Sequence, residues 1–308
     1  MTDFDDRKTS ASPAPLVSVV IPVHNGSRYI LAAVNSVLQQ SHTCVEVIVV
    51  DDGSTDDTDA LVSSIEDSRL CMVSIPTRAG VAAARNHGLR RATGDYVAWL
   101  DADDTWYDFK VSAQVAILEA FPRVVCVGSP MEAITADDSR TIGRVGLMGR
   151  HASQAAIQQA RVMPFPLSSS LARGDAVRAI AGFDERLDQE PGQVEDLDFI
   201  ARLARLGDIR WLPMSVGGYR VHPNSSTSLR LREQQAAAAR IQSREARDER
   251  SINGGWTDSR RLRWSQAMLR RSLEDRSGAR TGRALIRIGF ALAVTPSYAV
   301  RKLSEFVV

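Results

Sequence analysis

Gly94-Asp95-Tyr96-Val97-Ala98-Trp99-Leu100-Asp101-Ala102-Asp103-Asp104 runs from a polar turn through apolar residues into three carboxylates. A short apolar run bounded by turn residues reads as a strand buried on both faces. Strand side chains repeat every two residues, so Asp101 and Asp103 share one face at the strand's carboxyl end. Unpaired, the two charges repel. A hard cation with oxygen ligands, Mn²⁺ or Mg²⁺, relieves that repulsion and can bridge to a diphosphate. A solvated acidic turn is the alternative for the same residues.

Working outward, the pattern repeats. Residues 16–23, 45–50, 70–75, 96–100 and 124–127 are Val- and Ile-rich runs bounded by Gly, Asp, Asn or Pro, and each is predicted to be a strand. Between them, Ile30, Leu31, Val34, Val37 and Leu38 recur at helical spacing, and 80–91 and 109–121 read as helices. Strand–helix alternation implies right-handed crossovers and an α/β fold: a mostly parallel central sheet with helices on both faces. In such sheets ligands bind beyond the carboxyl ends of the strands.

Those ends hold the remaining candidates. The first strand runs into Pro22-Val23-His24-Asn25-Gly26, the second into Val50-Asp51-Asp52-Gly53-Ser54. Asp52 can accept hydrogen bonds from a base or ribose, while Ser54, Thr55 and Asp56 can cap the following helix. A turn plus helix cap explains the second segment equally. Arg85 follows four small residues, Val81 to Ala84, which let its helix approach the sheet while the guanidinium reaches a phosphate or base. Glu195, Asp196 and Asp198 crowd a helix start, where the helix dipole alone favours acids and where one of them can serve as a general base.

Residues 131–165 are weakly patterned, with a loop expected over 136–144 and a helix over 153–162. Helices at 175–181 and 193–206, a strand at 209–212 and a segment over 217–228 follow. The last 80 residues, 229–308, are expected to form a helical, basic tail, with 17 Lys and Arg against 8 Asp and Glu, whereas the rest carries 21 against 29. An acidic body invites a metal, and a basic tail invites anionic groups. Near the end, Leu285 to Tyr298 is apolar but interrupted by Arg287, suited to lie in a membrane interface, to pack on the body or to pair two subunits as a homodimer. No run of 18 apolar residues occurs in the 308-residue chain, so a cytoplasmic protein touching the membrane face peripherally is expected. The first 15 residues read as a disordered leader. Cys44, Cys71 and Cys126 are expected to be buried free thiols. No nucleic-acid partner is expected.

The whole set resembles the family 2 inverting glycosyltransferases of the GT-A fold. The motifs are Val17-Ser18-Val19-Val20-Ile21-Pro22 with His24-Asn25; Val49 to Asp56; Gly80 to Gly88; Gly94 to Asp104; Gly182-Phe183-Asp184-Glu185; Glu195 to Asp198; and Tyr219-Arg220-Val221-His222. They fall in the family's order from 16 to 228, with a nucleotide-binding half over 16–130 and an acceptor-binding half over 131–228. The resemblance implies roles for individual residues. Asp52 binds the nucleobase, and Pro22, His24 and Asn25 line its pocket. Arg85 contacts the nucleotide. Asp101 and Ala102 hold the sugar nucleotide, with Asp103 the direct metal ligand and Asp101 beside it. Asp196 is the catalytic base and Glu195 the second candidate. Tyr219, Arg220 and His222 close over the diphosphate, and His222 is a further metal ligand. Two departures stand out: His24 where the family often has an aromatic residue, and Arg78 where it commonly has Asn. The donor implied is a nucleotide sugar, a UDP-sugar first, and the acceptor a glycan, a lipid-linked saccharide or another hydroxyl compound. The setting implied is cell-surface polysaccharide or glycoconjugate synthesis.

Other classes fit less well. A dinucleotide-dependent dehydrogenase needs Gly-x-Gly-x-x-Gly after the first strand, and His24-Asn25-Gly26-Ser27 stands there instead. A phospho-acceptor receiver needs a switch lysine near the sheet, and Lys110 is the one interior lysine before Lys302. A processive synthase carries Gln-x-x-Arg-Trp and membrane helices; Arg263-Trp264 lacks the Gln. The rival that survives is a nucleotide-sugar binder without catalysis, against which stand the retained Asp103 and Asp196.

Overall fold

The computed structural model describes residues 14–146, 153–160, 162–189 and 194–222. The expected leader up to residue 13, the segment 223–228 and the basic tail lie outside the described residues.

The chain alternates β1 (Val17–Val23), α1 (Ile30–Leu38), β2 (Val45–Asp52), α2 (Thr58–Ser63), β3 (Leu70–Ile75), α3 (Val81–Arg91) and β4 (Tyr96–Trp99). It continues through β5 (Thr105–Trp106), α4 (Lys110–Ala120), β6 (Val124–Gly128), β7 (Met131–Thr135), β8 (Thr141–Val145) and α5 (Gln154–Gln158). A 3-10 turn at Leu167–Ser169 leads into β9 (Leu171–Arg173), α6 (Gly174–Ala179), α7 (Glu185–Gln189), α8 (Glu195–Leu206), β10 (Asp208–Trp211) and β11 (Gly217–Val221). The α/β expectation holds.

Seven strands form the central sheet in the order β10-β6-β9-β4-β1-β2-β3, all parallel to their neighbours except β9, which runs antiparallel to β4 and β6. Connection direction reverses between β1 and β4, the switch point where an open α/β sheet leaves a crevice at its carboxyl edge. Pro22, His24, Asp101 and Asp103 belong to that edge. A second, four-stranded sheet, β5-β11-β7-β8, brings residues 217–221 back beside the segment that follows β4.

Alternation along the strands builds two cores. Val17, Val19, Ile21 and Val23 of β1, with Val45, Val47 and Val49 of β2, pack with Ile30, Val34, Val37 and Leu118. Val20, Ile48 and Val50 point the other way and pack with Ala82, Ala84, Val177, Phe199 and Leu203. Helices thus cover both faces, and each buried Val or Ile contributes on the order of 1.5–3 kcal/mol to holding them there.

Some expectations need correction. The loop expected over 136–144 is a turn followed by strand β8, which pairs antiparallel with β7. The sequence hid it because β8 faces solvent along almost its whole length and offers no apolar run to read. Strand β9 has three residues, too short for a period. Of the three cysteines Cys126 is buried, Cys44 half-buried and Cys71 exposed on β3, whose outer position in the sheet leaves it partly uncovered. Among the described residues no helix is long and apolar enough to cross a membrane.

Candidate active site

Loop β1–α1 and loop β2–α2 are stitched together by short polar side chains. The Asn25 amide N–H donates to Ser54 Oγ at 2.8 Å, and the Thr55 N–H donates to Asn25 Oδ1 at 2.8 Å. Asn25 takes a positive φ of 52°, one of the few conformations Asn adopts readily outside glycine. Gly26 follows because there is no room for more: a Cβ there would lie 2.4 Å from a Val23 methyl and 3.7 Å from that of Ala102. Ala102 therefore abuts the first loop, as two walls of one pocket must.

Asp52 is buried, and its two oxygens accept the N–H groups of Ala79 and Gly80 at 2.7 and 2.8 Å. Its own carbonyl lies 2.8 Å from His24 Nδ1. Asp52 thus anchors the loop that opens α3, and each carboxylate oxygen retains a lone pair for another donor. Arg78, in the same loop, is exposed.

The second group forms around the end of β4. The Asp101 N–H donates to Ser168 Oγ at 3.1 Å, which fixes the turn bearing the carboxylates. Arg85 donates from Nη2 to Asp101 Oδ1 at 3.0 Å and from Nη1 to Glu195 Oε1 at 2.7 Å. Glu195 is almost wholly buried, whereas Asp196 is half-buried, and its carboxylate accepts its neighbour Leu197 N–H at 2.7 Å. Burial pushes the Glu195 carboxyl up to about 7; Arg85 opposes the rise, and Asp196 and Asp188 add to it. Burial raises Asp196 as well, against the pull of Arg85. Glu195 Oε2 has no hydrogen-bond partner among the described residues.

The third group joins the two sheets. His222 Nε2 lies 2.9 Å from Asp103 Oδ2, with side chains 16% and 33% exposed. Arg220 is buried: its N–H donates to Asp104 Oδ1 at 2.9 Å, its Nε to the Asp103 carbonyl at 2.8 Å, and its Nη1 to Asp138 at 2.5 Å. The Tyr29 ring lies 4.5 Å from the Arg220 guanidinium carbon and 5.7 Å from the His222 ring. Arg220 therefore braces the Asp103 turn from behind, through the Asp103 carbonyl and the Asp104 carboxylate, and His222 is the member of its segment that meets the Asp103 carboxylate. Tyr219 packs at the edge of the first core.

Burial and the Asp101 charge raise Asp103; burial, then Asp103 and Asp101, raise Asp104 well above the usual carboxylate range, and Asp104 Oδ2 lacks a partner among the described residues. Asp103 and His222, with Asp101 beside them, offer oxygen and nitrogen donors of the kind a divalent cation takes. Among the described residues no three His, Cys, Asp or Glu converge to hold one unaided, so oxygens from a diphosphate or water would complete the shell.

Sequence reasoning gave no role to Ser168, Asp104, Tyr29 or Asp188. Asp104 was legible as the third acid of its run; Tyr29 closes the first loop without a motif of its own, and Ser168 and Asp188 come from distant segments that carry no local signal.

Residues 18–167 match the family model described as glycosyl transferase family 2. Those residues form a domain of that family. A stretch of 106 residues is 45% identical to TuaG of Bacillus subtilis, a glycosyltransferase provisionally named for teichuronic acid biosynthesis; it covers 34% of this chain and 42% of TuaG. Another of 104 residues is 41% identical to WfaP of Escherichia coli, named UDP-Glc:alpha-D-GlcNAc-diphosphoundecaprenol beta-1,3-glucosyltransferase, covering 34% of this chain and 41% of WfaP. The matched part spans about two fifths of these relatives. The S. aureus TarS structure in complex with UDP-GlcNAc superposes with a TM-score of 0.62 at 16% identity, over 92% of this chain and 82% of that one, a likeness of fold. The family 2 domain thus has the GT-A arrangement.

Proposed function

We propose that the protein transfers one sugar from a nucleoside diphosphate sugar, a UDP-sugar first, to an acceptor hydroxyl with inversion at the anomeric carbon. The observation that carries the reading is a pair of groups at the carboxyl edge of the central sheet: Asp101 and Glu195 on Arg85, with Asp196 next along α8, and Asp103 on His222. Asp196 is a half-buried carboxylate that spends no bond on another side chain among those described, as suits a base that must meet an acceptor hydroxyl.

In this scheme the loops bearing Pro22, His24, Asn25, Asp52 and Ala102 hold the nucleoside, and Asp101 holds the ribose side. Asp103 and His222, with Asp101 beside them, would hold Mn²⁺ or Mg²⁺, whose charge there would offset that growing on the departing diphosphate. Asp196 takes the proton of the acceptor hydroxyl as its oxygen bonds to the anomeric carbon from the face opposite the diphosphate. The electrons of the old carbon–oxygen bond leave with the diphosphate. A single displacement inverts the centre and needs no covalent intermediate. WfaP, named for a lipid-linked acceptor, supports a saccharide diphosphate lipid as acceptor, and TuaG, named for teichuronic acid, supports cell-surface polysaccharide as product class. The test is a panel of UDP- and GDP-sugars with Mn²⁺, read as nucleoside diphosphate release and product configuration. Retained configuration would reject the single displacement. Tight binding with no release, even with lipid-linked acceptors, would leave the non-catalytic binder.

A further inference from the structure

The family resemblance gives Arg85 to the nucleotide, yet its surroundings occupy it otherwise. Its side chain is 5% exposed, and its guanidinium spans two carboxylates from opposite parts of the site, Asp101 at the end of β4 and Glu195 in the first turn of α8. The Phe183 ring lies 5.3 Å from the guanidinium carbon and stacks on Phe199 with centroids 4.1 Å apart. Phe199 and Phe183 both meet Trp99 edge-on. The guanidinium is therefore seated against an aromatic cluster that joins α8 to β4. A planar fork holds two carboxylates at a set separation, which a lysine ammonium cannot do.

We infer that Arg85 is a positioning residue: its guanidinium fixes the start of α8 against the end of β4 and so keeps Asp196 in register with the donor. This rests on the reading of Asp196 as base. Without the fork, Glu195 and Asp101 lose their shared counter-charge and the α8 start is free to shift. Asp52, His24 and Asn25 take their contacts from other loops and keep them. Asp101 keeps its backbone anchor on Ser168 Oγ, so the loss falls mainly on the chemical step rather than on nucleotide affinity.

Arg85→Lys retains the charge, so a nucleotide contact would survive it in part while the bridge would not. With Mn²⁺, it is expected to cut sugar-nucleotide turnover about 10²-fold, the cost of a displaced catalytic group. The dissociation constant of UDP, by calorimetry, is expected to stay within about threefold of wild type. Glu195→Gln, which keeps size and shape, reads the same bridge from its other end. In that background Arg85→Lys should cost far less than it does alone, since the two residues act as a unit. If Arg85→Lys does not fold by circular dichroism, Glu195→Gln carries the test beside Asp196→Asn: turnover lost in both at unchanged UDP affinity supports the bridge, and an active Asp196→Asn beside a dead Glu195→Gln overturns it. Weaker UDP binding in step with lost turnover, or fully additive losses in the double variant, overturns the positioning role. A wild-type protein that binds no nucleoside diphosphate overturns the donor reading itself, and this inference falls with it.

Discussion

Asp196 and Glu195 are adjacent carboxylates with different surroundings, and single substitutions separate them. Asp196→Asn is expected to lower turnover by roughly 10²–10⁴ while leaving UDP affinity nearly unchanged, the pattern of a lost general base. Were Asp196→Asn active and Glu195→Gln dead, the base would be the buried neighbour. The base works ionised, and burial raises both acids, so the acid limb of kcat/KM should lie above the ordinary carboxylate range, near 7 if Glu195 dominates the coupled pair. Stability has the opposite sign. Folded Glu195 holds its proton up to about 7 against an ordinary 4.5, so its favourable contribution is complete below 4.5 and is lost as pH rises to 7. Melting curves over that window should show this decline in the wild type and lack it in Glu195→Gln. At the Asp103–His222 pair, Asp103→Ala should remove Mn²⁺-dependent turnover and leave the melting temperature little changed. Full activity in EDTA would detach the pair from metal.

At the scale of an element, α3 begins where two acids converge. Asp52 accepts the N–H groups of Ala79 and Gly80, and Asp188 accepts that of Ala82 at 3.3 Å. Carboxylates there satisfy orphan donors and meet the positive end of the helix. Gly80 has a φ of 103° and a ψ of 162°, a region nearly reserved for glycine, and a Cβ would sit 2.0 Å from Asp188 Oδ2. Gly80→Ala should cost about 1–3 kcal/mol or more by chemical denaturation. Asp52→Ala should cost about 2–3 kcal/mol, since hydrogen bonds to a charged acceptor are lost. A change in UDP affinity beyond that loss would measure its share in base binding. In the sequence Asp52 reads as a ligand contact or as part of a turn and helix cap, and its hold on the start of α3 is hidden because Ala79 and Gly80 lie in a separate segment beyond β3. What was legible is the part whose physics is local: the buried strands, the helices between them and the acids at their ends. The hairpin of β7 and β8, the short β9 and the burial of Arg220 depend on partners distant in the chain, and no window of sequence contains them.

For the molecule as a whole, charge is divided along the chain, with the basic excess in residues 229–308 outside the described residues. The full chain is expected to co-sediment with anionic vesicles at low salt and to be released as ionic strength rises. Binding to neutral vesicles alike would remove charge as the cause. The central sheet carries a consequence of another kind. Its β9 sits between β4 and β6, although residues 171–173 are synthesised long after both. On the ribosome, β4 and β6 must wait with bare edges until about forty further residues have emerged, and bare edges pair with whatever strand is near. Truncations ending between β6 and β9 should therefore precipitate when expressed, and those edges are where a chaperone would bind the nascent chain.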